Sequence, residues 1–335
     1  SASAGGKGAY AARIALDSFE IRHKPRPARI RPTSVSLHTD SAATRAEAAS
    51  GDLSLTFSTP QSADSLIAAL TRSARALAGQ IDAQSIDMEQ LKPALPDFAL
   101  RVSAGPDNIL NSLLKSRKIA FDALNAEGAN CDSLPVSIRL RTEGLAYGNV
   151  VLDTVTADIR QNGKRLEYAL GLANAPGNLD NIARAGLYGH LVRNTGQANL
   201  YQRNRAGREG FRFGLDVTWT DSLVRASVTP PDPLFGFAPW TVNRGTYLAY
   251  RFDKRVEADL DMTHGDQRFA IRTTPGGGDD DDIRLDIAGL NVGPAMGLFP
   301  SAPPVDGVLG ANLTLNLAAD SRSLRGGVSV SELTY

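Results

Sequence analysis

A chain of 335 residues has length for about two domains of ordinary size. Hydrophobic residues at 42% and charged residues at 21% exclude wholesale disorder and a purely membrane-embedded composition. Thirty-six basic residues offset thirty-six acidic ones, so no global field gathers nucleic acid, and a single cysteine, Cys131, excludes an internal disulfide or a cysteine-built zinc site.

No apolar run approaches the roughly 18 residues that cross a bilayer as a helix. The chain opens on the low-complexity Ser1 to Gly8 without an initiating Met and stops at Tyr335 in a strand-like segment. It is therefore read as an excerpt, with any membrane anchor expected outside it. Gly5-Gly6-Lys7-Gly8 lacks the leading glycine and trailing Ser or Thr of a phosphate-binding loop.

Residues 1–60 read as N-terminal β-strands. Within them Arg22, His23, Lys24, Arg26, Arg29 and Arg31, broken by Pro25, Pro27 and Pro32, read as a solvated loop, with contact to lipid phosphate as the functional alternative. Period-two alternation, which sends successive side chains to opposite faces of a sheet, is clear at Leu53, Leu55 and Phe57.

Residues 61–125 read as a helical insert with short strands. The first helix runs from about Gln61 to Ile81, with Ser62 or Asp64 as cap and Leu66, Ile67, Leu70, Leu77 and Ile81 on one stripe. A second follows Gly105-Pro106-Asp107 and puts Ile109, Leu110, Leu113 and Leu114 on one face. Both stripes are expected to pack against the sheet; a membrane-surface role is the rival, weakened by a first helix with only Arg72 and Arg75 as basic residues.

Residues 126–335 read as one continuous antiparallel β-array without helical pattern. Alternation recurs at Val136, Ile138 and Leu140; Leu166, Tyr168, Leu170 and Leu172; Phe213, Leu215, Val217 and Trp219; and Leu248, Tyr250 and Phe252. It continues at Val256, Ala258, Leu260 and Met262; Ile283, Leu285 and Ile287; and Leu309, Leu313, Leu315 and Leu317. Turn signals at Gln161-Asn162-Gly163-Lys164, His264-Gly265-Asp266 and Asp320-Ser321-Arg322-Ser323 suit hairpins and are too short for parallel crossovers. The aromatic-rich stretch with Phe211, Phe213, Phe235, Phe237, Trp219 and Trp240 reads as a packed core corner.

Catalytic chemistry finds little support. His23, His38, His190 and His264 are scattered singly, and no Gly-x-Ser-x-Gly elbow occurs. The run Asp279 to Asp282 lacks the alternating ligands of a calcium loop and reads as a solvated hairpin. Asp216, Asp259 and Asp286 are the carboxylates that a glycosidase-like groove would use, and no spacing singles them out. No enzyme activity, cofactor or metal is expected.

The passage GLYGHLVRNTGQANLYQRNRAGREGFRFGLDVTW from Gly186, followed by VTPPDPLFGFAPWTVNRGTYL, resembles the TamB family of translocation and assembly module proteins, which are AsmA-like envelope proteins. The cues are the Gly210 to Gly214 strand, the proline-rich exit at Pro230 to Pro233, and Trp240-Thr241-Val242-Asn243; Gly245 stands where the pattern has a second Asn. The later LDIAGLNVGPAMGLFPSAPPVDGVLGANLTLNL is similar to the same family, and the likeness extends over about residues 50 to 335. It implies a mainly β fold, an elongated antiparallel array curled into an open trough called a β-taco. It further implies a periplasmic protein anchored in the inner membrane, phospholipid movement toward the outer membrane, and a partner among outer-membrane assembly barrels. No catalytic residue is carried over.

Under that resemblance the apolar strand faces merge into a rail for acyl chains, and strand phase nominates Leu215, Val217, Leu260, Leu285, Leu313 and Leu315. The same residues would line the closed core of a sandwich or barrel, so a structural or protein-binding β-solenoid stands as the alternative.

Overall fold

The computed structural model describes residues 2–5, 9–17, 19–21, 28–148, 150–174, 184–229, 232–274, 282–298, 305–316 and 323–335. The chain is mainly β, its strands pair antiparallel, and the sheet does not close into a barrel. It divides into two compact units, Ser1–Ala173 and Asn174–Tyr335.

The N-terminal unit holds β1 (Ala2–Gly5), β2 (Ala9–Leu16), β3 (Phe19–Ile21), β4 (Ala28–Ile30), β5 (Thr33–Thr39), β6 (Thr44–Ser50), β7 (Leu53–Thr59), β8 (Phe98–Ala104), β9 (Ile119–Ala120), β10 (Ala123–Cys131), β11 (Leu134–Tyr147), β12 (Val150–Asn162) and β13 (Arg165–Ala173). Helices α1 (Ala63–Asp82) and α2 (Met88–Leu91) lie between β7 and β8, and α3 (Ile109–Lys115) lies between β8 and β9. Pairing runs β1, β2, β5, β6, β7, β8, β10, β11, β12, β13, with β9 against β11; β3 and β4 form a separate ribbon.

The strands from β5 to β13 follow the alternation of their sequence, and their registers put the apolar side chains together on one face. The turn at Gln161 to Lys164 joins β12 to β13 with Gly163 at a φ of 58°, a left-handed conformation that glycine adopts without steric cost. On the opposite face charges alternate across neighbouring strands: Arg101, Glu127, Arg139 and Asp158 stand side by side, with Arg139 3.2 Å from Asp158. Cross-strand pairs of opposite sign reinforce that order.

Ser62 caps α1 by accepting a hydrogen bond from the Ser65 amide. The packing of the helix corrects the sequence expectation. Ala69 is its one buried residue, and the docked face is Ala69, Ser73, Ala76 and Gln80. Ser73 donates to the Ala94 carbonyl, Gln80 exchanges two bonds with the Asp87 backbone, and Ala76 meets the cluster of Met88, Leu91 and Val136. Small side chains allow close approach and the two polar ones supply the bonds. Ile67, Leu70, Leu77 and Ile81, about a quarter turn away, are left exposed.

Helix α3 is capped by Asn108, not held by Pro106, and its most buried residue is polar. Asn111 donates from Nδ2 to the carbonyls of Pro106 and Phe121 and accepts at Oδ1 from the Phe121 amide, so its buried side-chain amide ties the two ends of the α3 segment together. Of the expected stripe, Ile109, Leu110 and Leu114 are half-buried and Leu113 is exposed.

The C-terminal unit holds β14 (Arg184–Val192), β15 (Thr195–Arg203), β16 (Glu209–Trp219), β17 (Leu223–Val228), β18 (Leu234–Phe235), β19 (Ala238–Pro239), β20 (Thr241–Val242), β21 (Tyr247–Arg251), β22 (Val256–His264), β23 (Gln267–Thr274), β24 (Asp282–Asn291), β25 (Asp306–Asn316) and β26 (Ser323–Thr334). Sequential neighbours pair, except between β16 and β22. There the ladder is carried in two halves, β17 with β21 on one and the short β18, β19 and β20 on the other. A short helix, α4 (Val292–Met296), follows β24 and corrects the expectation of a region without helices. Its five residues, two of them Gly293 and Pro294, are too few for a helical period to register.

The expected hairpin at His264 to Asp266 joins β22 to β23, and Phe252 falls just past the end of β21. Gly6 to Gly8, Arg22 to Pro27, Pro230, Pro231, Asp279 to Asp281, Leu317 and the turn residues Asp320 to Arg322 lie outside the described residues.

Candidate functional site

In the N-terminal unit the registers align apolar side chains into two rows that cross nine strands. One row is Ala12, Leu37, Ala46, Phe57, Leu100, Gly128, Ile138, Ile159 and Tyr168; the next is Ile14, Val35, Ala48, Leu55, Val102, Ala126, Leu140, Ala157 and Leu170. At about 4.8 Å between strands the rows are some 38 Å long, and they lie about 7 Å apart. Gly128 is buried; the other members are half-buried or exposed.

Polar residues of the same face form the margins. On one side Thr39, Thr44, Thr59, Asn130 and Gln161 are buried beneath the insert of residues 60–97. Thr39 accepts from the Ala63 amide at 3.0 Å, Thr44 donates to the Gln61 carbonyl, and Asn130 donates to the Pro96 carbonyl. On the other side Ser50 and Thr142 are buried near the α3 insert, and the Ser50 hydroxyl accepts from the Ile109 amide. From Thr44 to Ser50 is six residues of strand, so the two walls stand about 20 Å apart. The result is an apolar floor with helical walls, open along its middle.

The α3 wall is fixed by charge. Gly51, at a φ of 58°, sits where a Cβ would run into the Asp107 carbonyl, and Arg31 bonds the Asp107 carboxylate at 2.5 Å. Burial pushes the Asp52 carboxyl up, yet the bonds it accepts from the Asn108 side chain at 2.6 Å and the Asp107 amide at 2.8 Å outweigh this and hold its pKa below the ordinary value. A group depressed in the folded state contributes stability that is present above its unfolded pKa and lost as pH falls through the folded value. Acidification below the ordinary carboxylate range is therefore expected to lower hydrogen-exchange protection over residues 105–121, and Asp52→Asn is expected to reduce that pH dependence, the remainder following the Asp107 carboxyl, which the Arg31 hydrogen bond also holds low.

The sequence-nominated rail residues all lie in the C-terminal unit, on one face of its sheet. Leu215 stands between Ala198 and Val228, and Val217 between Gly196 and Ala226. Leu260, Ile271, Leu285 and Leu313 form one row, with Ile283 and Leu315 in the row beside it. Five of the six are half-buried, whereas Leu260 is 4% exposed. It belongs to a core cluster with Trp240 and Met262, against which Phe213, Val228, Phe235, Val242, Phe269 and Leu290 pack. Of the aromatic stretch, Trp240, Phe213 and Phe235 form the core corner with Phe211 stacked beside them, whereas Trp219 and Phe237 are half-buried outside that cluster.

The motif around Trp240 builds that corner. The Trp240 indole donates to the Phe235 carbonyl at 3.2 Å. Asn243 accepts from the Asp261 amide and donates to Asp259, tying the loop to β22. The apolar floor of the N-terminal unit escaped sequence nomination although its strands did not: Leu53, Leu55 and Phe57, and Val136, Ile138 and Leu140, carry the signal. What alternation lacks is the register that lines them up.

On the polar face of the C-terminal unit a concavity of about 970 Å³ is lined by Arg268, Arg272 and Arg284. Arg268 and Arg272 both reach Asp261, and Arg284 reaches Asp286, so their charge is locally matched. The Arg268 hydrogen bond, offset partly by burial, holds the Asp261 carboxyl low. Asp216, Asp259 and Asp286 lie on β16, β22 and β24 of this face, on strands that carry the nominated leucines on the other side. Among the described residues no group of three or more His, Cys, Asp or Glu is placed to hold a metal ion, and no helix is long and apolar enough to cross a membrane.

No family model, curated protein or solved structure matches the chain.

Proposed function

We propose that this chain binds phospholipid acyl chains on its apolar sheet faces and supports lipid transfer or outer-membrane assembly in a bacterial envelope. The observation that carries the reading is the pair of apolar rows crossing nine strands, left open between polar, hydrogen-bonded margins. A closed core would bury Leu37 and Ile138; here both remain more than a third exposed, as a surface for a removable apolar ligand requires. Floor width suits acyl chains, and near-equivalent apolar positions along 38 Å or so let a tail shift without a deep trap.

The likeness to the TamB family, carried by the Gly210 to Gly214 strand and the Trp240 to Asn243 motif, supplies the remaining proposals. These are a periplasmic location, an inner-membrane anchor outside these residues, and an outer-membrane assembly barrel as partner. The Trp240 cluster favours a second reading for one region: around Leu260 the C-terminal unit is filled by its own side chains and acts structurally.

Native mass spectrometry of the gently purified chain, with solvent extraction and lipid identification, tests the proposal. Bound phospholipid is expected in the wild type and its loss in Leu37→Asp/Ile138→Asp, which changes exposed side chains and should leave melting intact. Leu215→Asp and Leu315→Asp report on the second unit. A lipid-free wild type that also takes up no phospholipid from vesicles overturns it.

A further inference from the structure

We propose that the cavity where the ladder divides, between the end of β17 and the loop that leads into β21, binds a phosphate ester. The inference concerns the polar face of the C-terminal unit and does not rest on the acyl floor. Pairing of β17 with β21 stops at Ala226 and Leu248, so the segments beyond them part around a cavity of about 310 Å³. Arg225 and Thr229 line one lip, Arg244 and Thr246 the other. Arg225 stands in the strand phase opposite to Val228, which pairs with Leu215, and so belongs to the polar face.

Three observations select the ligand. First, the two guanidiniums are uncommitted: among the described residues neither has a carboxylate within ion-pair distance. Arg225 lies over the Tyr247 ring, 4.0 Å from its centroid, which holds the planar group by its face and leaves its N–H edge for a ligand. Second, Thr229 and Thr246 are 7% and 6% exposed, and their hydroxyls are buried without a hydrogen-bond partner. An unpaired buried hydroxyl costs stability that a ligand oxygen restores. Third, donors arriving from both lips need acceptor oxygens in several directions. A tetrahedral phosphate presents them, and the guanidinium fork matches its edges. Val228, Pro233 and Val242 line the remainder, where the carbon part of an ester fits and a bare ion has no contact. Nearby carboxylates leave the cavity positive. Asp259 accepts from Asn243 and lies 3.9 Å from Arg272, and Asp216 stands across from Ser227 on β16. Asp232 is the one carboxylate in the lining, against two guanidiniums, and it gives the test its sign.

The test is isothermal titration of the full chain with glycerol phosphate, with glycerol and dihexanoyl phosphatidylglycerol alongside. Saturable binding of glycerol phosphate is expected, and none of glycerol. Arg225→Gln and Arg244→Gln are each expected to weaken it about tenfold, the lower range for a hydrogen bond to a charged group. Melting should not change, since both side chains are exposed. Asp232→Asn is expected to tighten binding by removing the opposing charge. Thr229→Val/Thr246→Val is expected to weaken binding yet raise the melting temperature, because these hydroxyls have no partner to lose. Displacement by the short-chain lipid supports a headgroup as the source of the phosphate, and its failure supports a soluble ester. No saturable heat with glycerol phosphate, an Arg225→Gln/Arg244→Gln variant that binds it as well as the wild type, or an Asp232→Asn variant that binds it more weakly would each overturn the proposal.

Discussion

Replacing Trp240 by alanine is expected to destabilise the C-terminal unit by about 3–5 kcal/mol, the range for deleting a large aromatic from a packed core. The side chain is 3% exposed, meets Phe235 edge-on at 6.3 Å between centroids, and lies 6.0 Å from the His264 ring. Leu260 and Met262 would lose their cover, and the Phe235 carbonyl would lose its donor. Urea unfolding followed by the fluorescence of Trp219 reads the loss. Trp240→Phe retains most of the ring contact and is expected to cost less than half as much. Hydrogen exchange in β5 to β8 should stay as in the wild type, because each unit has its own core.

Affinity for single-chain lipids is expected to rise about twofold with each added methylene. A methylene withdrawn completely from water gains about 0.8 kcal/mol. The floor touches a tail from one side only, so roughly half of that, about 0.4 kcal/mol, is available per group. A displacement series from C10 to C18 acids in the wild type and in Leu37→Asp/Ile138→Asp measures both slope and site. A flat slope would mean that the tail lies elsewhere, and a slope near fourfold would mean that the floor closes over its ligand.

Much of the strand content was legible because alternation is local. Leu53, Leu55 and Phe57 declare their face within five residues, and Gly163 and Gly265 mark their turns. The margins were not legible. Thr39, Thr44 and Thr59 share the phase of the apolar rows and look like interruptions in a strand; their purpose appears only when Gln61 and Ala63 arrive to bond them. The α1 stripe misled for a related reason. Hydrophobic periodicity identifies which residues share a side of a helix, but not which side docks, and here hydrogen bonds from Ser73 and Gln80 decided the docking. Leu260 and Leu313 share one row and differ in burial because Trp240 covers one of them, a contact between residues twenty positions apart that no strand pattern encodes.

The neighbour-to-neighbour pairing bears on how the chain reaches and leaves its folded state. Most strands pair with the strand just made, so loop closure is short and pairing can advance in the order of synthesis. The slow step falls where β8 must find β7 across residues 60–97, and it joins two blocks, β5 to β7 and β10 to β13, whose own hairpins close locally. Unfolding should reverse this as a sequence of partial openings with distinct midpoints, closer to the behaviour of stacked repeats than to a single all-or-none transition.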